Sequence, residues 1–336
     1  MRAPWPVSWH RSVLLLLESE AISIDPTSHE GGGDLVLISH AHSDHVAGFR
    51  LRAAKLCSPH TARLYTVYYG GSISGVVHMG PRFRDDEVEV ELRDSGHMLG
   101  SSQFRIHHRE HGSLVYTGDV NLEGSVISGP GEVLECDELI IDATFGDPRL
   151  RFPPREELYE EIVRWVRSVT SSGGTAILYA HPVGKAQELI KLLNEYMGVD
   201  PIIDDRVYLA TRVYEEAGYR LSYVPLRAGE AVKALREGGH VLITPLRVRP
   251  KPMGAAKPST AIVTGWATVF SYSSFDRSFP LTSHSGPNLL AEYVEESGAR
   301  TIYTMGYHAE EMSRWLRRRG LNARPLAEVV GRRRRP

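Results

Sequence analysis

The stretch Ser39-His40-Ala41-His42-Ser43-Asp44-His45 constrains this chain more than any other. It follows directly on a short apolar run, Leu35-Val36-Leu37-Ile38, which Gly31-Gly32-Gly33-Asp34 precedes. A run that short, rich in branched side chains and opened by glycine, reads as a buried strand. The cluster then sits at the C-terminal end of the strand, where an open α/β sheet places its site. Three imidazoles and a carboxylate this close together are costly to pack unless something binds them. Imidazole nitrogen and carboxylate oxygen form the donor set that suits zinc. On an extended turn His40 and His42 can face one point while Asp44 and His45 reach a second nearby. One metal takes three or four ligands, so this cluster with later residues has donors enough for two. The plain alternative is a polar, partly exposed loop.

Composition narrows the function classes. A formal net charge of −2 gives no global field for a polyanion, so any nucleic-acid binding has to come from local patches. Two cysteines, Cys57 and Cys136, are too few for a disulfide framework or a thiolate zinc site, and a single disulfide stays open. The length of 336 residues suggests two domains, or one with a large insertion. The longest aliphatic run, residues 13–17, is far shorter than the ~20 residues that span a bilayer. The first residues show no apolar segment followed by a small-residue cleavage site. The expectation is a soluble cytoplasmic protein that engages no membrane.

Along the chain, residues 13–17 and 21–25 read as two strands, the second ending in Asp25-Pro26. Residues 46–54 read as a helix, 55–58 as a short strand and 59–69 as a helix with Pro59 in its first turn. Val88, Val90 and Leu92 alternate with charged residues, the signature of a half-buried strand. That strand runs into a glycine-bounded turn carrying His97. A hairpin at 103–107 and 113–117 leads to Gly118-Asp119, and 139–141 leads to Asp142. Strand after strand thus ends in His40, His97, Asp119 and Asp142. A single acidic strand end is common in turns; the repetition points to a shared site.

From Pro148 helices alternate with strands: helices at 155–168, 185–195, 207–217 and 230–237, strands at 175–179 and 240–244. This predicts a small Rossmann-like unit on a parallel sheet. A basic, proline-rich loop follows at 247–257. Strands at 261–264, 279–282 and 301–304 then alternate with helices at 286–296 and 310–319, and the second of these strands ends near His284, the third near His308. Histidines therefore return after a domain-sized gap. The simplest topology is a first domain at 1–147, an inserted domain at 148–260, and a closing part at 261–336 with a basic tail, Arg332 to Arg335.

His40-Ala41-His42-Ser43-Asp44-His45 resembles the signature motif of the metallo-β-lactamase superfamily. Asp25, His97 in Ser95-Gly96-His97-Met98-Leu99-Gly100-Ser101, and Asp119 in Tyr116-Thr117-Gly118-Asp119 resemble its other core motifs. Asp142-Ala143-Thr144-Phe145-Gly146, His284 in Thr282-Ser283-His284-Ser285, and His308 resemble motifs A, B and C of the β-CASP nucleases, a group with an inserted cap. Val183-Gly184-Lys185-Ala186-Gln187, Gly265-Trp266 and the short cap are similar to the ligase-associated exonuclease and mRNA 3′-end processing factor-like proteins. The resemblance covers nearly the whole chain. One departure is that the motif B histidine has Ser283, Ser285 and Gly286 as neighbours where relatives often carry Asp.

The resemblance implies an α/β fold, an αββα sandwich with an inserted Rossmann-like β-CASP cap. It implies a nuclease with two Zn2+ ions that hydrolyses phosphodiester bonds of RNA or DNA, internally or from an end, through a metal-bridging hydroxide. It puts His40, His42 and His97 on one zinc and Asp44, His45 and His308 on the other, with Asp119 bridging. Asp25 and Asp142 would orient the ligands, and His284 would contact the scissile phosphate or protonate the leaving oxygen; Asp44, Asp119, Asp142 and His284 form the catalytic set. The partner is nucleic acid, single-stranded at the site, and a homodimer stays open. The basic loop and tail are candidates for backbone contacts. Trp266, Phe270, Tyr272 and Phe275 read as filling the interdomain core in preference to stacking on bases. Lys185 reads as a solvated helix terminus in preference to a phosphate contact. His181 is unassigned, and His10, His29, His60, His78, His107, His108, His111 and His240 read as surface or loop residues. Two other readings compete. A thioesterase or lactonase of the same superfamily sits poorly with the cap and with the late His284 and His308. A non-catalytic nucleic-acid-binding subunit typically lacks ligands that are all present here.

Overall fold

Strand Leu35–Leu37 is buried along its whole length, as a parallel strand covered on both faces must be. In the computed structural model, which describes residues 3–28, 30, 32–246, 248 and 258–329, it lies inside a six-stranded sheet. The order of that sheet is Val7–Trp9, Val13–Leu16, Ala21–Ile24, Leu35–Leu37, Ala54–Leu56 and Val77–His78. The first three strands pair antiparallel and the rest run parallel. A seven-stranded sheet faces it, ordered Ala323–Pro325, Thr301–Met305, Glu138–Asp142, Gly112–Tyr116, Ser102–His108, Val88–Asp94 and Arg82–Arg84. Both sheets belong to one of two compact units, built from described residues of 3–123, 130–150 and 284–329.

The core explains the layering. Leu15, Ile22, Ile24, Leu37 and Leu56 of the first sheet pack on Val90, Phe104, Ile106, Leu114, Tyr116 and Ile140 of the second. Strand Glu138–Asp142 is buried at every residue because its opposite face carries a second core. There Val115, Leu139, Ile141 and Ile302 meet Leu290, Tyr293 and Val294 of helix Pro287–Glu296 and Met312 and Leu316 of helix Ala309–Arg318. Across the first sheet, the 3₁₀ turn Val46–Arg50 comes so close that a Cβ on Gly48 would lie 2.8 Å from Val36 Cγ1. Phe49 there stacks on Tyr65 of helix Pro59–Tyr68 at 4.4 Å. Helix, sheet, sheet, helix is the αββα order the family resemblance implied.

The second unit comprises residues 124–129 and the described part of 151–283. Its sheet runs Val224–Pro225, Ile202–Ile203, Val241–Thr244, Ala176–Tyr179, Ser259–Val263 and Arg277–Phe279, parallel throughout. Helices Arg155–Ser171, Lys185–Met197, Asp205–Glu216 and Gly229–Glu237 alternate with these strands, the Rossmann-like pattern. Lys185 is not a solvated terminus. It is 7% exposed and bonds Glu188 at 2.6 Å, which also accepts from Arg155 at 2.7 Å and Tyr159 at 2.6 Å. Burial works to raise the Glu188 carboxyl, but the two cations outweigh it and hold it low.

Other expectations shift for local reasons. Residues 46–54 form a 3₁₀ turn of five residues, Val46–Arg50, and the chain is extended by Leu51. Ser259–Val263 and Arg277–Phe279 pair into the second unit's sheet, so the first unit resumes near residue 284, not at 261. The strand expected at 279–282 ends at Phe279, which leaves His284 on a loop. His108 is buried, stacked on His111 at 4.7 Å and edge-on to Trp5 at 6.1 Å. Cys57 and Cys136 are buried and free. The basic loop at 247–257, apart from residue 248, lies outside the described residues, as do His29 and the basic tail. Among the described residues no helix is long and apolar enough to cross a membrane.

Phe104 is fully buried between the two sheets. Phe104→Ala is expected to destabilise the first unit by about 3–5 kcal/mol, read by denaturant unfolding; a loss under about 1 kcal/mol would mean the sheets do not share this core.

Candidate metal centre

The site begins with Asp25. Strand Ala21–Ile24 ends there, and Asp25 takes φ 45°, the left-handed region that non-glycine residues seldom occupy. The side chain is 5% exposed and accepts four hydrogen bonds. Ser39 N–H donates to Oδ1 at 2.8 Å. Oδ2 accepts from Ser39 Oγ at 2.5 Å, from Tyr116 OH at 2.8 Å and from His45 Nδ1 at 2.8 Å. Burial and this carboxylate keep the Tyr116 phenol protonated, its pKa well above the ordinary value.

These bonds set two tautomers. His45 gives Nδ1–H to Asp25, so its Nε2 faces away, 3.6 Å from Asp44 Oδ2 and 3.9 Å from Asp119 Oδ1. The single Ser39 hydroxyl hydrogen goes to Asp25, so Ser39 Oγ accepts from His40 Nδ1 at 2.9 Å. The lone pair of His40 is then on Nε2, which is buried and makes no hydrogen bond. That atom lies 3.4 Å from Asp119 Oδ2. His97 Nε2 lies 3.5 Å from the same oxygen and 3.2 Å from His42 Nδ1. His40, His42, His97 and Asp119 thus bring four ligand atoms within 4.8 Å of one another.

Asp119 can occupy the centre because Gly118 precedes it. Gly118 has φ +53°, and a Cβ there would lie 2.9 Å from Ser39 Cβ. Burial pushes the Asp119 carboxyl up to about 6, with His284 and His45 pulling against it. Asp142 closes strand Glu138–Asp142 and accepts from Thr144 N–H at 2.8 Å and His284 Nδ1 at 2.7 Å. Burial acts to raise Asp142, but His284 and the hydrogen bonds hold it below the usual carboxylate range. His284 Nε2 then faces Asp119 Oδ2 at 3.8 Å.

The donor set fits a metal. Imidazole nitrogens and a carboxylate converge, and a buried lone pair on His40 Nε2 has no hydrogen to accept. No family model matches the chain. It is 31% identical over 301 residues to a protein named probable DNA ligase from Opitutus terrae, covering 87% of this chain and 28% of that protein. It is 23% identical over 213 residues to an RNase J-like protein of Methanocaldococcus jannaschii, covering 57% of this chain and 50% of the other. It is 29% identical over 213 residues to transcription termination factor FttA of a Lokiarchaeum species, covering 52% and 33%.

The chain belongs to the β-CASP group of the metallo-β-lactamase superfamily.

It spans half or less of the length of these relatives. A crystal structure of a protein of unknown function from Enterococcus faecalis shares the fold, with TM-score 0.65 at 13% identity, over 92% of this chain and 96% of that one.

Within the β-CASP frame, the residues of the second expected set are less closely gathered. His45 Nε2 lies near both Asp44 and Asp119, although the Asp44 side chain is 74% exposed. His308 is buried at the start of helix Ala309–Arg318, with its N–H on Ala143 O at 3.0 Å. Its Nδ1 lies 3.8 Å from Glu311, its Nε2 is buried without a hydrogen bond, and among the described residues no ion pair joins it to Asp119 or Asp44. Asp142 and His284 form instead a second group with Asp119.

Sequence reasoning missed Ser39, Tyr116 and Ser285. Ser39 abuts the motif and was readable as a relay; Tyr116 sits 91 residues from Asp25, and only the sheet packing joins them. Ser285, part of the departure around motif B, has a structural task. Its N–H donates to Val120 O at 2.7 Å and its Oγ accepts from Leu122 N–H at 2.9 Å, which bolts the loop after Asp119 to the His284 segment.

Asp25→Asn removes the charge that orients His45 directly and His40 through Ser39. Metal affinity is expected to fall about 10–100-fold, read by competition with a chromogenic chelator; unchanged affinity would remove Asp25 from that role.

Proposed function

We propose that the protein is a zinc-dependent nuclease that hydrolyses phosphodiester bonds of RNA or DNA. The observation that carries this reading is that two devices meet on one carboxylate oxygen. His40, His97 and the Asp142-held His284 all approach Asp119 Oδ2, and the His97 and His284 rings meet edge-on at 4.7 Å. The first is a cradle for a cation and the second is a held imidazole suited to proton transfer. The names of two relatives, RNase J-like protein and transcription termination factor, point to the same substrate class.

In this reading His40, His42 and His97 hold one zinc, Asp44, His45 and His308 hold a second, and Asp119 bridges them. The unbonded, buried Nε2 atoms of His40 and His308 support the assignment of both histidines as ligands. Two bound zinc ions supply a strong nucleophile from water at neutral pH and neutralise charge on the phosphoryl oxygens. The chain's own part is orientation and proton transfer. Ser39 and Asp25 keep the lone pairs of His40 and His45 on Nε2, toward the centre. Asp142, held ionised, accepts Nδ1–H of His284 and so fixes the ring with Nε2 toward Asp119. Nε2–H of His284 is then the proton given to the leaving oxygen.

Purified protein supplemented with zinc is expected to contain two equivalents by elemental analysis and to cut end-labelled single strands; chelation should abolish cleavage and zinc restore it. One equivalent or fewer would contradict the dinuclear site, and chelator-resistant cleavage would contradict metal dependence. Asp119→Ala is expected to lower turnover by several orders of magnitude, and activity within about tenfold of wild type would exclude the bridging role. His284→Ala should retain zinc and lose about 10²–10⁴ in single-turnover rate. Full metal with normal chemistry would refute the acid role, and lost metal would make His284 a ligand.

A further inference from the structure

The proposed chemistry leaves unused the aromatic segment that follows strand Ser259–Val263. Of its four aromatic residues, Phe275 turns inward, edge-on to Tyr179 at 5.3 Å and packed on the cluster of Ile177, Ile202 and Leu242. Phe270 does not fill a core as the sequence reading expected; it is 46% exposed. It is nevertheless held. The 3₁₀ turn Gly265–Thr268 fixes Trp266 behind it, with ring centroids 5.8 Å apart, and Phe270 N–H donates to Trp266 O at 2.8 Å.

Beside this ring lies a pocket of about 400 Å³, broadly open to solvent and walled chiefly by Thr268, Phe270, Ser271, Tyr272, Ser273 and Ser278. That size falls in the range of small-molecule sites. Among the described residues its walls carry aromatic rings and hydroxyls but no charged side chain. Without a cation they do not suit a phosphate, and without imidazole or carboxylate they do not suit a metal. A flat, uncharged ring with hydrogen-bonding atoms on its rim matches these walls.

We propose that this pocket is a nucleobase subsite, which takes one base of a single strand stacked on Phe270 and hydrogen-bonded by the serines of its walls, Ser271, Ser273 and Ser278. The inference rests on the nuclease reading above, and it adds a base-dependent contribution that phosphate contacts alone do not give.

The test uses the full zinc-loaded chain and two fluorescein-labelled 12-mers with phosphorothioate linkages, one of oligo(dA) and one abasic throughout, which carry the same charge. Anisotropy should give about tenfold or tighter binding of the oligo(dA) strand, the effect of one stacked base. Phe270→Ala should bring that ratio close to one at unchanged melting temperature and zinc content, Tyr272→Ala should lower it, and Phe270→Tyr should restore it. Equal binding of the two strands by wild type, or a ratio that Phe270→Ala leaves intact, overturns the subsite. If ordinary oligonucleotides are still cut, the nuclease reading survives that result; if none is bound or cut with zinc present, both fall together.

Discussion

The carboxylate of Asp25 is the interaction on which the site depends. It is buried, acts as acceptor to four donors, and sits in a backbone conformation that costs about 1–3 kcal/mol elsewhere. Hydrogen bonds to a charged group contribute about 1.5–3 kcal/mol each, so four of them outweigh that strain. They also join parts far apart in the chain. Ser39 and His45 follow a strand of one sheet, and Tyr116 closes a strand of the other. The carboxylate that turns His45, and through Ser39 turns His40, therefore also ties the two sheets at the end of their shared core. Ligand orientation and sheet packing are set by one group.

Asp142 repeats the logic with His284. It ends a fully buried strand, accepts a backbone N–H from Thr144, and fixes the ring of His284. Ser285 keeps that ring in register with the loop that carries Asp119. Gly118 lets this loop lie against Ser39, where a side chain would collide. Asp119 thus faces imidazoles held by two buried carboxylates, His45 and, through Ser39, His40 by Asp25, and His284 by Asp142.

Much of this was legible in the sequence because the donors are concentrated. The run from His40 to His45 and the turns at His97, Asp119 and Asp142 announce themselves by residue type and by following apolar strands. Single strands were legible from alternation in Val88, Val90 and Leu92 and from unbroken runs such as residues 35–38, and their stacking into two sheets followed from the family resemblance. What stayed hidden depends on contacts between distant positions. The Tyr116–Asp25 bond exists only once the sheets stack, and the Arg155–Glu188–Lys185 cluster only once two helices pack, so Lys185 read as solvated. Edge strands of two or three residues, such as Val77–His78 and Ile202–Ile203, are too short to show a period. The segment before His284 was misread because Arg277–Phe279 pairs at the edge of the second unit's sheet and then stops.

In the proposed nuclease Asp119 would bridge two metals, one held by His40, His42 and His97 and the other by Asp44, His45 and His308. Diffraction from crystals grown with zinc, recorded on both sides of the zinc absorption edge, tests it most directly. The account predicts two anomalous peaks in contact with Asp119, one on each of these ligand sets, with Asp142 still bonded to His284. A single peak, or a second peak held by Asp142 and His284 in place of Asp44, His45 and His308, would contradict it.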